Sequence, residues 1–584
     1  MSVQSQKEQT ARIIRVAAGQ EPADLVIKNC KIVDVYTASI IEGDIAICGE
    51  QIAGIGSYSG EEEIDAKGAY AAPGLIDSHI HIESSYVSPE EMGRLVVPHG
   101  TTTIIADPHE IANVCGNEGM EYMLEAAKGT ALDIKYMYPS CVPSTPFENA
   151  GAILKAADMT EKLKEKNVLG LGEFMNYPGI LGCDEDVLDK LALAKENGQL
   201  IDGHSPGLSG NDLSGYVAAG IHTDHECSSL EEMKDRLSRG VYVLLRQGSA
   251  CHDLETLLHG VTPANSRRCL LCSDDRQPKT ILEEGHIDNH LRVLVKNGID
   301  AMTAIQMASL NAAECFRLYD RGAIAPGLRA DLVLLDNLED FRVQSVYIAG
   351  KKVAEGGTYL LPVQPYRSAS VTGRMDVKNF SKERLVLPLK SSSVYTIDIC
   401  PGGVLTKKGT AEVKRDGEGN FVFDPSQDIA KIAVVERHHG TGNVAVALLR
   451  GYGIKEGAIA VSIAHDSHNI IVVGVNDADM ELAVNTLAEM GGGIAVVKNG
   501  NVIGDMPLPI AGLMSDQSME WVAEKLEELH QMAFEQLQIS KTVEPVMTLC
   551  FMSLAVIPEL KLTDEGLFDV TQFKFIEIEN HLTS

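Results

Sequence analysis

Two histidines stand two residues apart, His79 and His81, at the end of the apolar run PGLIDSHIHIESS (residues 73–85). Residues i and i+2 of a β-strand point to the same face, so both imidazoles face the same way. If that face is the interior of a barrel, a ring nitrogen without a partner there costs free energy. The pair therefore indicates either a metal site or two core histidines that are hydrogen-bonded to their surroundings.

Four more acidic or imidazole side chains follow separate apolar runs: Glu173 ends VLGLGEF, His204 ends LIDGHS, His225 lies in GIHTDHE, and Asp274 lies in CLLCSDD. Barrel enzymes build their sites from side chains at the C-terminal ends of strands. Four imidazoles and two carboxylates can hold two divalent cations, with one carboxylate bridging. Nitrogen and oxygen ligands without thiolate favour Mn, Fe or Zn. The ordered set therefore favours the metal site over the core histidines.

The elements that would position these side chains lie in the middle of the chain, residues 73–321, where strand candidates alternate with helical stretches. Strand, polar strand end and helix repeat about eight times, which is typical of a (β/α)8 TIM-type barrel. Residues 1–72 and 322–386 share short apolar runs and turns, which predict one composite β-sandwich built from both flanks. Residues 387–584 predict an additional C-terminal α/β domain. The fold class is therefore α/β.

The composition restricts the partners. The chain has 82 acidic and 50 basic residues, a formal charge of −32. Such a field repels phosphate backbones and anionic lipid, so we expect no nucleic acid and no membrane as partners. We find neither a signal segment nor an apolar run of about eighteen residues. The 12 cysteines, Cys269 and Cys272 included, predict buried free thiols in a reducing compartment, and hence a cytoplasmic protein.

Five further phrases resemble those of the adenine deaminases, a family of the amidohydrolase superfamily, and the similarity runs along nearly the whole chain. They are IIADPHEIANVCG (104–116), GLGEFMNYPG (170–179), GHSPGLSG (203–210), TDHE (223–226) and SDDR (273–276). The resemblance implies that His79 and His81 are a first-strand ligand pair and that Glu173 is a bridging carboxylate. It implies that His204 and His225 are further ligands, and that Asp274 binds metal and shuttles a proton. Many superfamily members carry a carboxylated lysine in place of Glu173, but the adenine deaminase pattern has glutamate.

The expected reaction is hydrolysis of adenine to hypoxanthine and ammonia in purine salvage. The cofactors would be two divalent ions per chain, Mn2+ or Fe2+ by preference and Zn2+ as an option. Water activated by the metals would attack C6, with Asp274 as proton shuttle. We expect a homo-oligomer, a dimer. One alternative is another amidohydrolase that acts on a cyclic amide or imidazolone; another is a binding scaffold without activity.

The purine ring needs its own contacts. Asp107, His109 and Glu110 in DPHE follow the second predicted strand and are the first choice for ring recognition or protonation of N1. Because Asp-Pro also starts turns, a purely structural role stays open for this segment. Asp275 would bind a ring nitrogen or support the ligands around it.

A second histidine-rich cluster lies downstream, in VVERHHGTGN and IAHDSHN. It could cap the active site, bind another metal, or form a polar network at strand ends. Its spacing fits no fixed ligand rule, so structural or lid duty is favoured. Its members are Glu436, His438, His439, His465, Asp466 and His468.

Overall fold

The computed structural model describes residues 3–249 and 251–580, and its central feature is a barrel of eight parallel strands. Strands 1 to 5 form one sheet and strands 6 to 8 another. Main-chain hydrogen bonds close the ring, from His222 N to Ile201 O (2.9 Å) and from Asp274 N to His79 O (3.0 Å). Barrel strands 1 to 8 are Leu75–Ile80, Thr101–Ala106, Asp133–Tyr138, Val168–Phe174, Leu200–Gly203, Thr223–Asp224, Tyr242–Arg246 and Cys269–Cys272.

Helices surround the barrel and follow the predicted alternation. Two of them begin at polar caps: Asp184 accepts from Val187 N, and Ser229 accepts from Glu232 N, both at 3.2–3.3 Å. Such caps satisfy main-chain groups that a helix leaves free at its start. The helices are Pro89–Val96, His109–Cys115, Asn117–Ala126, Ala156–Met159, Tyr177–Leu181, Glu185–Glu196, Gly210–Ala218, Leu230–Ser238, Leu254–Leu257, Pro278–Glu284, Ile287–Lys296, Ala301–Met307 and Leu310–Cys315.

A nine-stranded sheet draws its strands from both flanks of the barrel segment. The two flanks meet where Tyr70–Pro73 pairs antiparallel with Leu332–Leu335. The N-terminal helix Val3–Ala17 packs against this sheet through Ile13 and Val16. How far a sandwich domain extends stays a prediction. The nine strands are Ala23–Asp34, Ser39–Cys48, Gln51–Gly56, Gly60–Asp65, Tyr70–Pro73, Leu332–Leu335, Val343–Ile348, Lys351–Glu355 and Thr358–Tyr359.

The C-terminal region contains an eight-stranded mixed sheet with the helices Asp477–Met490 and Met519–Glu535 packed on it. A short helix, Pro545–Cys550, and a single turn, Phe551–Ser553, lead into a small three-stranded sheet. Within the described residues, no helix is both long and apolar enough to cross a membrane. The eight strands are Ser393–Ile399, Thr406–Glu412, Ile429–Val435, Val444–Arg450, Ala458–Val461, Ile470–Gly474, Gly493–Lys498 and Asn501–Pro507; the three are Leu560–Thr563, Gly566–Asp569 and Lys574–Phe575; the strands Lys414–Arg415 and Phe421–Val422 pair with each other.

Candidate metal centre

Six predicted side chains converge at the C-terminal mouth of the barrel, and all six are buried. His79 lies in strand 1 and His81 directly follows it, and Glu173 lies in strand 4. The other three follow strands 5, 6 and 8 within two residues, and a parallel barrel brings all C-terminal strand ends to one rim. They are His204, His225 and Asp274.

Glu173 lies in the middle of this group and faces both halves of it. Its Oε1 is 3.4 Å from His81 Nε2, whereas its Oε2 is 2.8 Å from His204 Nδ1 and 3.2 Å from His225 Nε2. Asp274 Oδ1 approaches the first histidine pair, at 3.2 Å from His81 Nε2 and 3.8 Å from His79 Nε2. A carboxylate with one oxygen toward each half is the geometry of a bridging ligand.

The positions of the protons on His79 and His81 indicate whether a cation fits between the two rings. His81 donates from Nδ1 to the main-chain carbonyl of Asp107 (2.9 Å), because a carbonyl can only accept. His79 donates from Nδ1 to Asp202 Oδ2 (2.9 Å). In the neutral rings both Nε2 atoms therefore carry lone pairs, yet they lie 3.2 Å from each other. Two facing lone pairs repel unless a metal ion or a proton is bound between them, so the arrangement suits a cation. An outer carboxylate or carbonyl on Nδ1 is typical of histidine ligands.

The pKa shifts of Glu173 and Asp274 also favour a cation site. Burial alone would raise the pKa of Glu173, but His204 and His225 hold it well below its usual value. Burial would also raise the pKa of Asp274, but His81 and Arg246 lower it. Both carboxylates are therefore ionised at neutral pH. Two buried anions among imidazoles form a field that favours cations.

Three charged residues that sequence reasoning did not assign also contact the centre. Glu226 Oε1 is 3.3 Å from His225 Nε2 and 3.6 Å from His204 Nδ1. Arg246 ends strand 7 and donates from Nη1 to Asp274 Oδ2 (2.9 Å) and to Glu226. Asp202 contacts His79 as described. Arg246 and Asp202 lie at strand ends and Glu226 follows His225. Since barrel enzymes build their sites at the C-terminal ends of strands, the sequence could have indicated all three.

The predicted substrate residues divide into two groups. Asp107 is buried and accepts from Glu173 N through Oδ2 (2.7 Å), so it holds strand 4 in place. His109, Glu110 and Asp275 line a cavity above the centre. His109 Nδ1 is 3.3 Å from Glu173 Oε1, and Ser84 Oγ donates to both Glu110 and Asp275.

This cavity has a volume of about 460 Å³ and lies directly over the centre. Its floor is the ligand cluster, and its other wall comes from the C-terminal region. Volumes of this order are usual for small-molecule sites. The C-terminal residues of the wall are Pro401, Gly402, Val404, Leu405, His465, Asp466, Phe551, Leu554, Ile557 and Pro558.

The second histidine cluster is split between two places. His465 and Asp466 line the cavity, and His468 is fully buried behind Glu110, with its Nε2 4.0 Å from Glu110 Oε2. The Glu436 carboxylate instead ties its own turn by accepting from the main-chain N–H of His438 and His439, at 2.5 and 2.6 Å. One half therefore belongs to the wall of the site, and the other half stabilises a loop.

Comparison with known proteins gives two family matches and several full-length relatives. Residues 70–353 match the amidohydrolase family, and residues 403–574 match the adenine deaminase C-terminal domain. "Adenine deaminase 2" of Desulfotalea psychrophila is 61% identical over 98% of this chain and 100% of its own. Adenine deaminase of Ligilactobacillus salivarius is 53% identical over 98% and 100%. Adenine deaminase of Nitratidesulfovibrio vulgaris is 50% identical over 97% and 98%.

Proposed function

The chain belongs to the adenine deaminases, a family of the amidohydrolase superfamily, and we propose that its barrel centre converts adenine and water into hypoxanthine and ammonia. It is a hydrolase of C–N bonds, with a TIM-like α/β fold. The observation that carries the proposal is the convergence of four imidazoles and two carboxylates beneath a cavity large enough for a purine.

The six side chains suit two divalent cations, Mn2+ or Fe2+ by preference and Zn2+ as an option. Bound there, the ions would act as Lewis acids and make water a nucleophile near neutral pH. Glu173 would bridge, because its two oxygens face opposite halves of the cluster. The ligands in this proposal are His79, His81, Glu173, His204, His225 and Asp274.

Asp274 has the position of a proton shuttle. Arg246 holds its Oδ2, which leaves Oδ1 directed at the ligand cluster below the cavity. In the proposed reaction this carboxylate accepts a proton from the attacking water and returns one to the departing amine. A group that acts first as base and then as acid must contact both reacting atoms, and the floor of the cavity permits that.

His109, Glu110 and Asp275 are the proposed contacts to the purine ring. His109 lies between Glu173 and Asp466, with its Nε2 3.6 Å from Asp466 Oδ1, and it faces the cavity. A proton delivered to N1 makes C6 electrophilic, and His109 is placed to deliver it. Asp107 supports this group from behind, since its Oδ1 is 3.6 Å from His109 Nδ1.

The proposal is tested by incubating the Mn-loaded protein with adenine and measuring ammonia and hypoxanthine together. Equal amounts of the two products are expected. Cyclic amides and imidazolones are assayed in parallel, because the same cluster would serve an amidohydrolase of that kind. Turnover of one of those without turnover of adenine would overturn the assignment and favour the alternative. The predicted homodimer is checked by light scattering on the same sample.

A further inference from the structure

The C-terminal wall of the cavity contains one aromatic pair, His465 and Phe551. Their ring centroids are 4.9 Å apart and the planes are inclined by 20°, so the two rings are stacked. Both residues line the cavity, next to Leu554 and Ile557. The wall therefore offers two aromatic rings and two aliphatic side chains to whatever occupies the space above the centre.

Glu110 fixes the orientation of the His465 ring. His465 Nδ1 lies 3.1 Å from Glu110 Oε1, so this nitrogen carries a proton and donates it to the carboxylate. Burial alone would lower the pKa of His465, but Glu110 raises it to about 9. The other ring nitrogen, Nε2, is then also a donor at neutral pH. Among the residues that the structure describes, Glu110 pairs with Nδ1 of His465, main-chain bonds hold its backbone, and no hydrogen-bond acceptor contacts Nε2.

A purine satisfies both features of this wall. Its faces are aromatic and suit an apolar ring surface, and its ring nitrogens are hydrogen-bond acceptors that lie in the ring plane. A donor in a cavity wall loses its water when a ligand fills the cavity, so a ligand that supplies an acceptor there gains both affinity and selectivity.

We propose that the C-terminal region completes the purine site, with His465 donating from Nε2 to one ring nitrogen of adenine while Phe551 supports the ring system. This inference rests on the proposed function. It gives Glu110, one of the proposed ring contacts, the further role of positioning His465, and it makes the adenine deaminase C-terminal domain part of substrate recognition.

Two other uses of His465 give different expectations. The Glu110–His465 pair could serve only to fasten the C-terminal region to the barrel. Alternatively, Glu110, His465 and His468 could hold a third metal ion, since their ligand atoms lie within 4.8 Å of one another. A pair of substitutions separates these uses, because glutamine reproduces the position of Nε2 and asparagine that of Nδ1.

The first experiment compares His465→Gln and His465→Asn in the full-length, Mn-loaded protein. We expect His465→Gln to keep kcat/KM for adenine within about threefold, and His465→Asn to lower it about tenfold or more, in line with loss of one specific hydrogen bond. The control is His530→Asn, which removes another His–Glu pair (His530 Nε2 to Glu544 Oε1, 2.6 Å) outside the cavity. A fastening role predicts the reverse order, with asparagine better tolerated than glutamine, and that order would overturn the proposal.

The second experiment measures inhibition by adenine analogues in which N1, N3 or N7 is replaced by carbon. In the parent protein, the analogue that lacks the acceptor of His465 should bind about tenfold more weakly than adenine, and His465→Asn should abolish this difference while the penalties of the other two analogues persist. If His465→Asn changes the penalty of none of the three analogues, the inference is contradicted. A metal content that falls by one ion per chain in His465→Asn would also contradict it. Failure of the parent protein to release ammonia from adenine would instead refute the proposed function.

Discussion

At the scale of single residues, the metal centre depends on which ring nitrogen of each histidine carries the proton. His79 and His81 each donate from Nδ1 to a fixed acceptor, which leaves both Nε2 atoms as electron-pair donors 3.2 Å apart. The repulsion between two such lone pairs is removed when a metal ion or a proton is bound between them. The sequence spacing predicted that the two rings share a face, but their tautomers depend on Asp202 and on the Asp107 carbonyl, which lie far away in the chain.

The role of Asp274 gives the first prediction. Asp274→Asn should lower kcat for adenine by at least about a thousandfold, because an amide cannot accept the proton from water, while bound metal stays near the parent level. Ammonia release and elemental analysis measure the two effects. The matched control is Asp253→Asn, because Asp253 also pairs with Arg246, Nη2 to Oδ2 at 2.9 Å, without contacting the histidines. Near-normal turnover of Asp274→Asn would refute the assigned role.

The second prediction concerns Asp202, which contacts His79 from outside the cluster. Asp202→Asn should weaken metal binding about 10- to 100-fold, because the imidazole loses the partner that fixes its proton and raises its basicity. Competition with a fluorescent chelator measures the affinity. The control, Asp288→Asn, alters another buried aspartate beside a histidine, His99, at 3.7 Å. Unchanged affinity in Asp202→Asn would show that the outer carboxylate has no influence on the centre.

At the scale of elements, the barrel was predictable because each strand and the ligand after it are local in sequence. Strands 1 to 8 and the helices between them occupy the stretches that the alternation indicated, and Glu173 and Asp274 lie at their strand ends. The wall formed by His465 and Phe551 was not predictable in this way. His465 meets Glu110 across more than 300 positions of sequence, and no local pattern encodes which loop of a C-terminal domain reaches the barrel mouth.

A buried lysine of the small three-stranded sheet gives the third prediction. Lys561 is fully buried and donates to two main-chain carbonyls of the cavity wall, Val404 O (2.8 Å) and Phe551 O (2.9 Å). A neutral amine has two N–H groups, one for each acceptor. Burial lowers the pKa of Lys561 from 10.5 to about 7.

The sign of the pH effect follows from this shift. Between the folded pKa of about 7 and the unfolded value of 10.5, the unfolded chain binds one more proton than the folded chain. Stability from this group therefore rises with pH in that window and is lost as pH falls through 7. The free energy of unfolding of the parent, minus that of Lys561→Met, should therefore rise by about 1.4 kcal/mol per pH unit within this window. Denaturant titrations at several pH values measure it, and a difference independent of pH would contradict a neutral Lys561.

At the scale of the whole molecule, the residues around the cavity connect the barrel with the C-terminal region. His109 faces Asp466, and Glu110 faces His465, so the cavity is closed by parts of the chain that fold as separate sheets. The net charge of −32 is compatible with a neutral substrate and with cationic metals. Metal bound only by the folded state must stabilise it, by about 4 kcal/mol when the free metal is a thousandfold above Kd.

Removal of metal is the fourth prediction. Chelation should abolish adenine turnover and lower the melting temperature by about 3 °C or more, and Mn2+ should restore both. A variant with His79→Ala and His81→Ala provides the control, since its melting temperature should respond much less to chelator. Scanning calorimetry with and without chelator makes the comparison. Full activity after exhaustive chelation would contradict metal dependence.

The most direct test of the central claim is anomalous diffraction at the manganese edge from crystals of the Mn-loaded protein. Two peaks are predicted at the barrel mouth, each within bonding distance of His79, His81, Glu173, His204, His225 or Asp274, with Glu173 touching both. A map without peaks there, or with peaks bound to other side chains, would contradict the account.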